Sequence, residues 1–271
     1  MLKSPKLFKC LLSVYFIASF SAQAQVSLVK DSWNNAGNWW KSETYQKQDL
    51  WYWGIGLSAV GGTFIYDAEI QKAISFSNPA DVDRFSPYME PFGNPYYGGS
   101  LALLAYLSGE ITNQSELSNL SSTALQSMLT AGLTVVGLKL LFHRVRPEEQ
   151  MANDPYLFYG PSFNRDRLSF PSGHSAIAFS LAASISAYYD DPYYLAIPLY
   201  GLAGLTAWQR VYAKKHWPSD ILMGGLIGVF IGRKIATWQK ERSPKLAMYP
   251  VILFGQNPGI SLSLKLDPIE Y

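Results

Sequence analysis

The sequence predicts an all-α protein: a six-helix bundle, embedded in or associated with a membrane, that ends in a short β-hairpin. Three observations predict it. Six apolar segments, residues 50–66, 97–107, 124–142, 176–189, 193–208 and 221–231, are rich in Leu, Ala, Ile and Gly, and each is long enough for a helix. Turn chemistry separates them, at Asn78-Pro79, Gly93-Asn94-Pro95, Asp190-Asp191-Pro192 and Pro218-Ser219. Only 15% of the 271 residues are charged while 48% are apolar. About a quarter charged is usual, so this chain buries more than an average soluble protein or sits partly in lipid.

A mean hydropathy of +0.01 is low for a chain that crosses a bilayer many times. The aromatic residues that flank the apolar runs suit an interfacial belt and plain core packing equally. Of the six runs, 124–142 has the length of a membrane span, 50–66 is borderline, and 97–107 and 221–231 are short. A net charge of +2 gives no reason to expect a nucleic-acid partner.

At the N-terminus, Lys3, Lys6 and Lys9 precede an apolar run over 10–20, then Ala22-Gln23-Ala24. This pattern reads as a secretory signal peptide over 1–24, cut after Ala24, with an uncleaved anchor as the alternative. The lone Cys10 lies inside it, so neither a disulfide within the chain nor a cysteine metal site is available. Residues 25–49 form a polar segment with Trp33, Trp39 and Trp40, fit for a surface helix or the membrane interface. The helical domain follows over 50–242. In the tail, 243–271, Ile260, Leu262, Leu264 and Leu266 alternate with Ser261, Ser263 and Lys265 after an apolar stretch at 249–254, which predicts the hairpin.

The chemistry concentrates around Phe170-Pro171-Ser172-Gly173-His174. Pro171 disfavours helix at the residue before it, Ser172 is a good N-cap, and Gly173 lets another group approach the backbone. The first N–H groups of the following helix then point outward with the positive dipole end behind them, which makes an anion site fit for phosphate. His174 stands at its rim. Upstream, Lys139 and Arg146 are seven residues apart, which puts both on nearly one helix face ahead of Pro147. His143 between them reads as a helix-end histidine, and Arg165 and Arg167 as loop charges. Downstream come Arg210, His216 and Asp220. Trp217-Pro218 keeps His216 in a loop, Ser219 can cap the last helix, and Asp220 in its first turn can fix the imidazole tautomer.

These three blocks, Lys139…Arg146-Pro147, Pro171-Ser172-Gly173-His174 and Arg210…His216…Asp220, resemble the signature of the type 2 phosphatidic acid phosphatase (PAP2) and vanadium haloperoxidase superfamily. That family includes membrane lipid phosphatases, bacterial non-specific acid phosphatases and haloperoxidases. One departure is Gln209, where the family usually has Ser; Gln can still donate a hydrogen bond, so altered tuning is expected.

The resemblance implies catalytic roles for His216 as nucleophile, Asp220 as its orienting carboxylate and His174 as general acid, then base. It implies phosphate binding by Lys139, Arg146, Ser172, Gly173 and Arg210. It implies no cofactor and no metal. The expected substrate is a lipid phosphate or diphosphate, either an isoprenoid carrier diphosphate such as undecaprenyl diphosphate or phosphatidate. The expected place is the bacterial cell envelope, on the membrane with the site facing the periplasm. Cleavage after Ala24 followed by six crossings would instead face the site inward. An uncleaved extra anchor with one later segment that does not cross, a re-entrant segment or a periplasmic body that does not span resolves that conflict. The competing readings are a soluble periplasmic acid phosphatase, a vanadium haloperoxidase, and a non-enzymatic helical protein that has kept an anion site.

Overall fold

A computed structural model describes residues 47–76, 80–148, 154–163, 167–242, 245–252 and 258–265. The expected signal peptide, the tryptophans of the polar segment and Arg165 lie outside them. In chain order the helices are α1 (Lys47–Ile65), α2 (Asp67–Phe76), α3 (Ala80–Phe85), a 3-10 helix (Ser86–Gly93), α4 (Pro95–Thr112), α5 (Ser115–Phe142), α6 (Gly173–Tyr188), α7 (Tyr193–Tyr212) and α8 (Pro218–Arg242). Each of the six apolar segments is helical. The sequence reading passed over α2, α3 and the 3-10 helix. Two further segments, β1 (Lys245–Ile252) and β2 (Pro258–Lys265), run antiparallel to one another. The hairpin and its role stay an expectation, since the fold that places the site is the helical part.

Local chemistry sets the helix ends. Asn94 caps α4, its side chain accepting from the Tyr96 N–H at 3.0 Å, with Pro95 in the first turn. Asn113 closes α4 in the left-handed region, φ 56°. His143 does the same for α5 at φ 47°, its N–H on the Lys139 carbonyl at 3.0 Å. That corrects one expectation: α5 ends at Phe142, so Arg146 does not share a helix face with Lys139. Past His143 the chain leaves the helix and pairs with residues 157–159, with the Val145 N–H on Leu157 O at 3.2 Å and the Tyr159 N–H on His143 O at 3.2 Å.

Glycines decide how α8 meets α6. A Cβ at Gly224, Gly228 or Gly232 would fall 2.3, 2.4 and 2.5 Å from the carbonyl oxygens of Ser172, Ala176 and Ser180. Positions ascend by four on both helices, so the two run parallel in backbone contact, with their N-termini at the same end. Val135 and Lys139, near the C-terminus of α5, are the nearest side chains to a Cβ built at Gly173. The four-residue link between α6 and α7 returns the chain antiparallel. One end of the bundle therefore gathers the starts of α6 and α8 with the finishes of α5 and α7. That end holds the site.

The interior is small and hydroxylic. Ser121, Ser122, Ala124, Ser127 and Ala131 are buried on α5, and Ala176, Ser180, Ala183 and Ser184 on α6. Buried hydroxyls bond back to their own helix, as Ser127 does to Thr123 O at 2.7 Å and Ser180 to Ile177 O at 2.9 Å.

Candidate active site

The starts of α6 and α8 are tied directly: the Ser172 N–H donates to Asp220 O at 2.9 Å. Ser172 caps α6, its hydroxyl accepting from the Ser175 N–H at 3.4 Å. The first intrahelical bond is from the Ala176 N–H to Ser172 O at 3.1 Å, so the N–H groups of Gly173 and His174 precede it and are left for a ligand. A Cβ at Gly173 would meet only Val135 and Lys139, at 3.9 and 4.0 Å. Packing alone thus does not require glycine there, and its bare backbone faces a cavity described below.

His216 sits in the loop between α7 and α8, buried, with Nδ1 3.6 Å from Asp220 Oδ2. That is long for a hydrogen bond. Burial drives the imidazole's pKa down to about 3, against the pull of Asp220, so the ring is held neutral with a lone pair. Asp220 accepts from the Ser169 hydroxyl at 2.5 Å and the Trp217 N–H at 2.9 Å, the latter reaching back across the first turn as in a capping box.

Its other oxygen belongs to a buried network that the sequence did not disclose. Arg144 Nη1 donates to Asp220 Oδ1 at 2.6 Å and to Ser219 Oγ at 2.8 Å. Nη2 donates to Asp67 Oδ2 at 2.6 Å and to Pro155 O at 2.7 Å, and Nε to Pro155 O at 2.9 Å. All five guanidinium donors are thereby used. Phe64, Phe158 and Trp217 surround the guanidinium with ring centroids 4.9, 5.2 and 5.5 Å from its carbon. Asp67 also accepts the Ser219 N–H at 2.8 Å and hydroxyl at 2.5 Å. The start of α8 is therefore capped by Asp67 of α2, where Ser219 had been expected to cap it.

The opposite wall carries His174, its Nε2 3.8 Å from Glu90 Oε1 of the 3-10 helix. Arg210 Nη1 lies 3.2 Å from that same oxygen and 3.3 Å from Gln209 Oε1. Gln209 thus accepts toward the site, where a donor had been expected. Lys139 Nζ donates to the carbonyls of Leu168 and Ser169, which partly explains its burial without an anion. Arg146 pairs with Glu148 at 3.5 Å, and Glu148 with Lys215 at 2.5 Å. Three buried polar atoms here lack a hydrogen-bond partner: Arg210 Nε, His174 Nε2 and His216 Nδ1. Burial and the nearby Arg210, Lys139 and Arg146 all act against a proton on His174. The same Lys139 and Arg146 act on His216. Every sequence-predicted site residue is thus brought to this one end of the bundle. His143 lies apart from the cradle as the C-cap of α5, and Arg167 stacks on Tyr159 with its ring centroid 4.0 Å away.

A cavity of about 620 Å³ opens between α4, α5 and α6. Lys139, Gly173 and His174 form its polar end, and Leu103, Leu129 and Leu133 are among its apolar walls. Among the described residues no three His, Cys, Asp or Glu side chains stand close enough to share a metal ion.

Residues missed by sequence reasoning are Asp67, Glu90, Arg144 and Ser169. Arg144, set between buried His143 and Val145, carried one signal: a cation flanked by groups that belong inside.

Residues 122–244, which hold most of α5 and all of α6 to α8, match the PAP2 superfamily model. The chain is 33% identical over 115 residues to the lipid A 1-phosphatase of Porphyromonas gingivalis; that stretch is 42% of this chain and 22% of that protein. It shares its fold with the crystal structure of the first transmembrane PAP2 type phosphatidylglycerolphosphate phosphatase from Bacillus subtilis, with a TM-score of 0.55 and 20% identity over 72% of this chain and 94% of that one. The crystal structure of Aquifex aeolicus LpxE aligns with a TM-score of 0.49 and 23% identity over 63% of this chain and 94% of that one.

Proposed function

We propose that this protein is a membrane-bound phosphatase of the cell envelope that hydrolyses a lipid phosphate or diphosphate through a phosphohistidine on His216. The observation that carries the reading is the apolar cavity of about 620 Å³ ending at Lys139, Gly173 and His174. A phosphate in the cradle would project its ester chain into that cavity. Each buried methylene stabilises by about 0.8 kcal/mol, so eight would contribute about 6 kcal/mol, a term no sugar phosphate supplies.

In the first half-reaction Nε2 of His216, the nitrogen turned away from Asp220, attacks phosphorus in line. The P–N bond forms as the P–O bond to the lipid breaks, and the departing oxygen takes the proton of His174. In the second, water attacks phosphorus and gives its proton to His174. The P–N bond then breaks and phosphate leaves. Lys139, Arg146, Arg210, the Ser172 hydroxyl and the Gly173 N–H hold the phosphate oxygens, where charge is spread in the transition state. Asp220 stabilises the charge that develops on His216.

Membrane embedding is supported by an inside-out distribution of side-chain size. Buried faces are rich in Ser and Ala beside a few Ile and Val, whereas Leu50, Trp51, Ile55, Leu101, Leu133 and Ile197 are exposed. Small residues at the contacts and large apolar ones outside suit a bundle whose solvent is lipid. Among the described residues, α5 and the Pro218–Lys240 part of α8 are long and apolar enough to cross a bilayer. The borderline run over 50–66 is not one of these, while the short run over 221–231 is, once its flanking residues in α8 are counted. The exposed apolar faces favour this reading over a soluble acid phosphatase. A periplasmic site and an undecaprenyl diphosphate or phosphatidate substrate are carried forward as expectations. The 1-phosphate of lipid A joins them as a candidate through the P. gingivalis relative.

The test is phosphate release by the detergent-purified protein from phosphatidate, undecaprenyl diphosphate, lipid A and glycerol 3-phosphate side by side. At least one lipid should exceed glycerol phosphate in kcat/KM by roughly a hundredfold or more, about 2.7 kcal/mol of chain burial. Equal rates on all four would overturn the lipid reading.

A further inference from the structure

His174 is asked to donate a proton from a place that disfavours carrying one. Arg210 on α7, Lys139 on α5, Arg146 on the segment after it and the positive end of α6 all face the ring. His216 across the cradle is neutral and brings its own carboxylate. Against them, among the described residues, stands Glu90, with Oε1 3.8 Å from His174 Nε2.

Glu90 is held in place by its backbone. The 3-10 helix that carries it is fastened to α7 by the Thr206 hydroxyl, which donates to Met89 O at 3.1 Å. It presses onto α6 at Gly93, where a Cβ would fall 2.7 Å from His174 O and 2.9 Å from His174 Cβ. Just upstream, the Tyr212 hydroxyl donates to Asp83 at 2.6 Å. The backbone is fixed while the Glu90 side chain keeps 46% of its exposure.

Resting on the phosphatase reading, we infer that Glu90 is the positioning carboxylate of the general acid, holding the imidazolium of His174 toward the leaving oxygen as Asp220 holds His216. The proton travels from His174 to the ester oxygen as the P–O bond breaks. Glu90 acts only through His174 and touches no substrate atom. Its contact with Arg210 at 3.2 Å gives a second consequence: in the empty site it competes with phosphate for that guanidinium.

The experiment compares kcat for an alkyl phosphate, whose leaving oxygen needs a proton, with that for p-nitrophenyl phosphate, whose phenolate leaves without one. Wild type, Glu90→Gln, Glu90→Asp and His174→Gln are measured across pH in detergent, and vanadate binding reports an intact cradle. General-acid assistance is worth about a hundredfold or more. Glu90→Gln should lower the alkyl-to-aryl kcat ratio about tenfold or more and move the alkaline limb of the alkyl profile to lower pH. Glu90→Asp should fall between it and wild type, and phosphate inhibition should tighten in Glu90→Gln. If His174→Gln lowers the ratio while both Glu90 variants leave ratio and limb unmoved, the role of Glu90 is overturned and the phosphatase mechanism stands. If His174→Gln itself leaves the ratio unmoved, the general-acid assignment falls and Glu90's role with it.

Discussion

Arg144 Nη1 stands 2.6 Å from Asp220 Oδ1, and neither side chain has any exposed surface. With Asp67 on its other side at 2.6 Å, equally buried, Arg144 joins α2, the segment after α5 and the start of α8 at one point. The carboxylate that orients the proposed nucleophile is thus part of the structural frame. Catalytic geometry and stability should fail together when this point is cut.

Removing one partner of a buried ion pair leaves a charge without compensation, at about 3–5 kcal/mol. Arg144→Met should therefore lower thermal stability by about that amount, measured as a Tm shift in detergent. Asp67→Asn keeps the shape of the cap on Ser219 and should lose less. Because Asp220 keeps its bond from Arg144 when only Asp67 is changed, Asp67→Asn should reduce kcat far less than Arg144→Met. Equal losses from the two would mean that Arg144 does not transmit to Asp220.

Much of the bundle was legible because the signal was local. Each apolar run reads as a helix on composition and length, and Asn94-Pro95 and Pro171-Ser172 mark two starts through capping chemistry. What was illegible is long-range. Arg144 meets Asp67 across 77 residues of chain, and Ser219 meets Asp67 across 152, with no pattern linking them. Glu90 lies in a short 3-10 helix between stronger punctuation and was read as connection. The end of α5 was misjudged because Pro147 looked like the stop; His143, in a left-handed conformation that His adopts more often than most non-Gly residues, ends it earlier.

The neutral His216 makes stability depend on pH in a definite sense. Its pKa is lowered from 6.5 to about 3, so between those values the unfolded chain binds the extra proton. Stability is then fully present above about pH 6.5 and is lost as pH falls toward 3. In phosphate-free buffer, Tm should decline from pH 7 to pH 4.5, and His216→Asn, which cannot titrate, should flatten that decline. An unchanged slope in the variant would show that the imidazole is not held neutral.

The cavity can be filled without disturbing the frame. Gly132 lines it, and a Cβ there meets nothing within 4 Å. Gly132→Leu should therefore raise KM for a long-chain lipid phosphate several-fold and lower the selectivity for lipid over glycerol phosphate. Selectivity equal to wild type would place the ester chain elsewhere.

The most direct measurement of the central claim is a rapid quench into alkali with ³²P-labelled substrate, where a phosphohistidine survives, followed by peptide mapping. The label should sit on His216, form at least as fast as turnover and chase off with water. His216→Ala should show neither label nor turnover while still binding vanadate. A His216→Ala protein with near-normal activity, or wild-type turnover without labelled protein, would contradict the account.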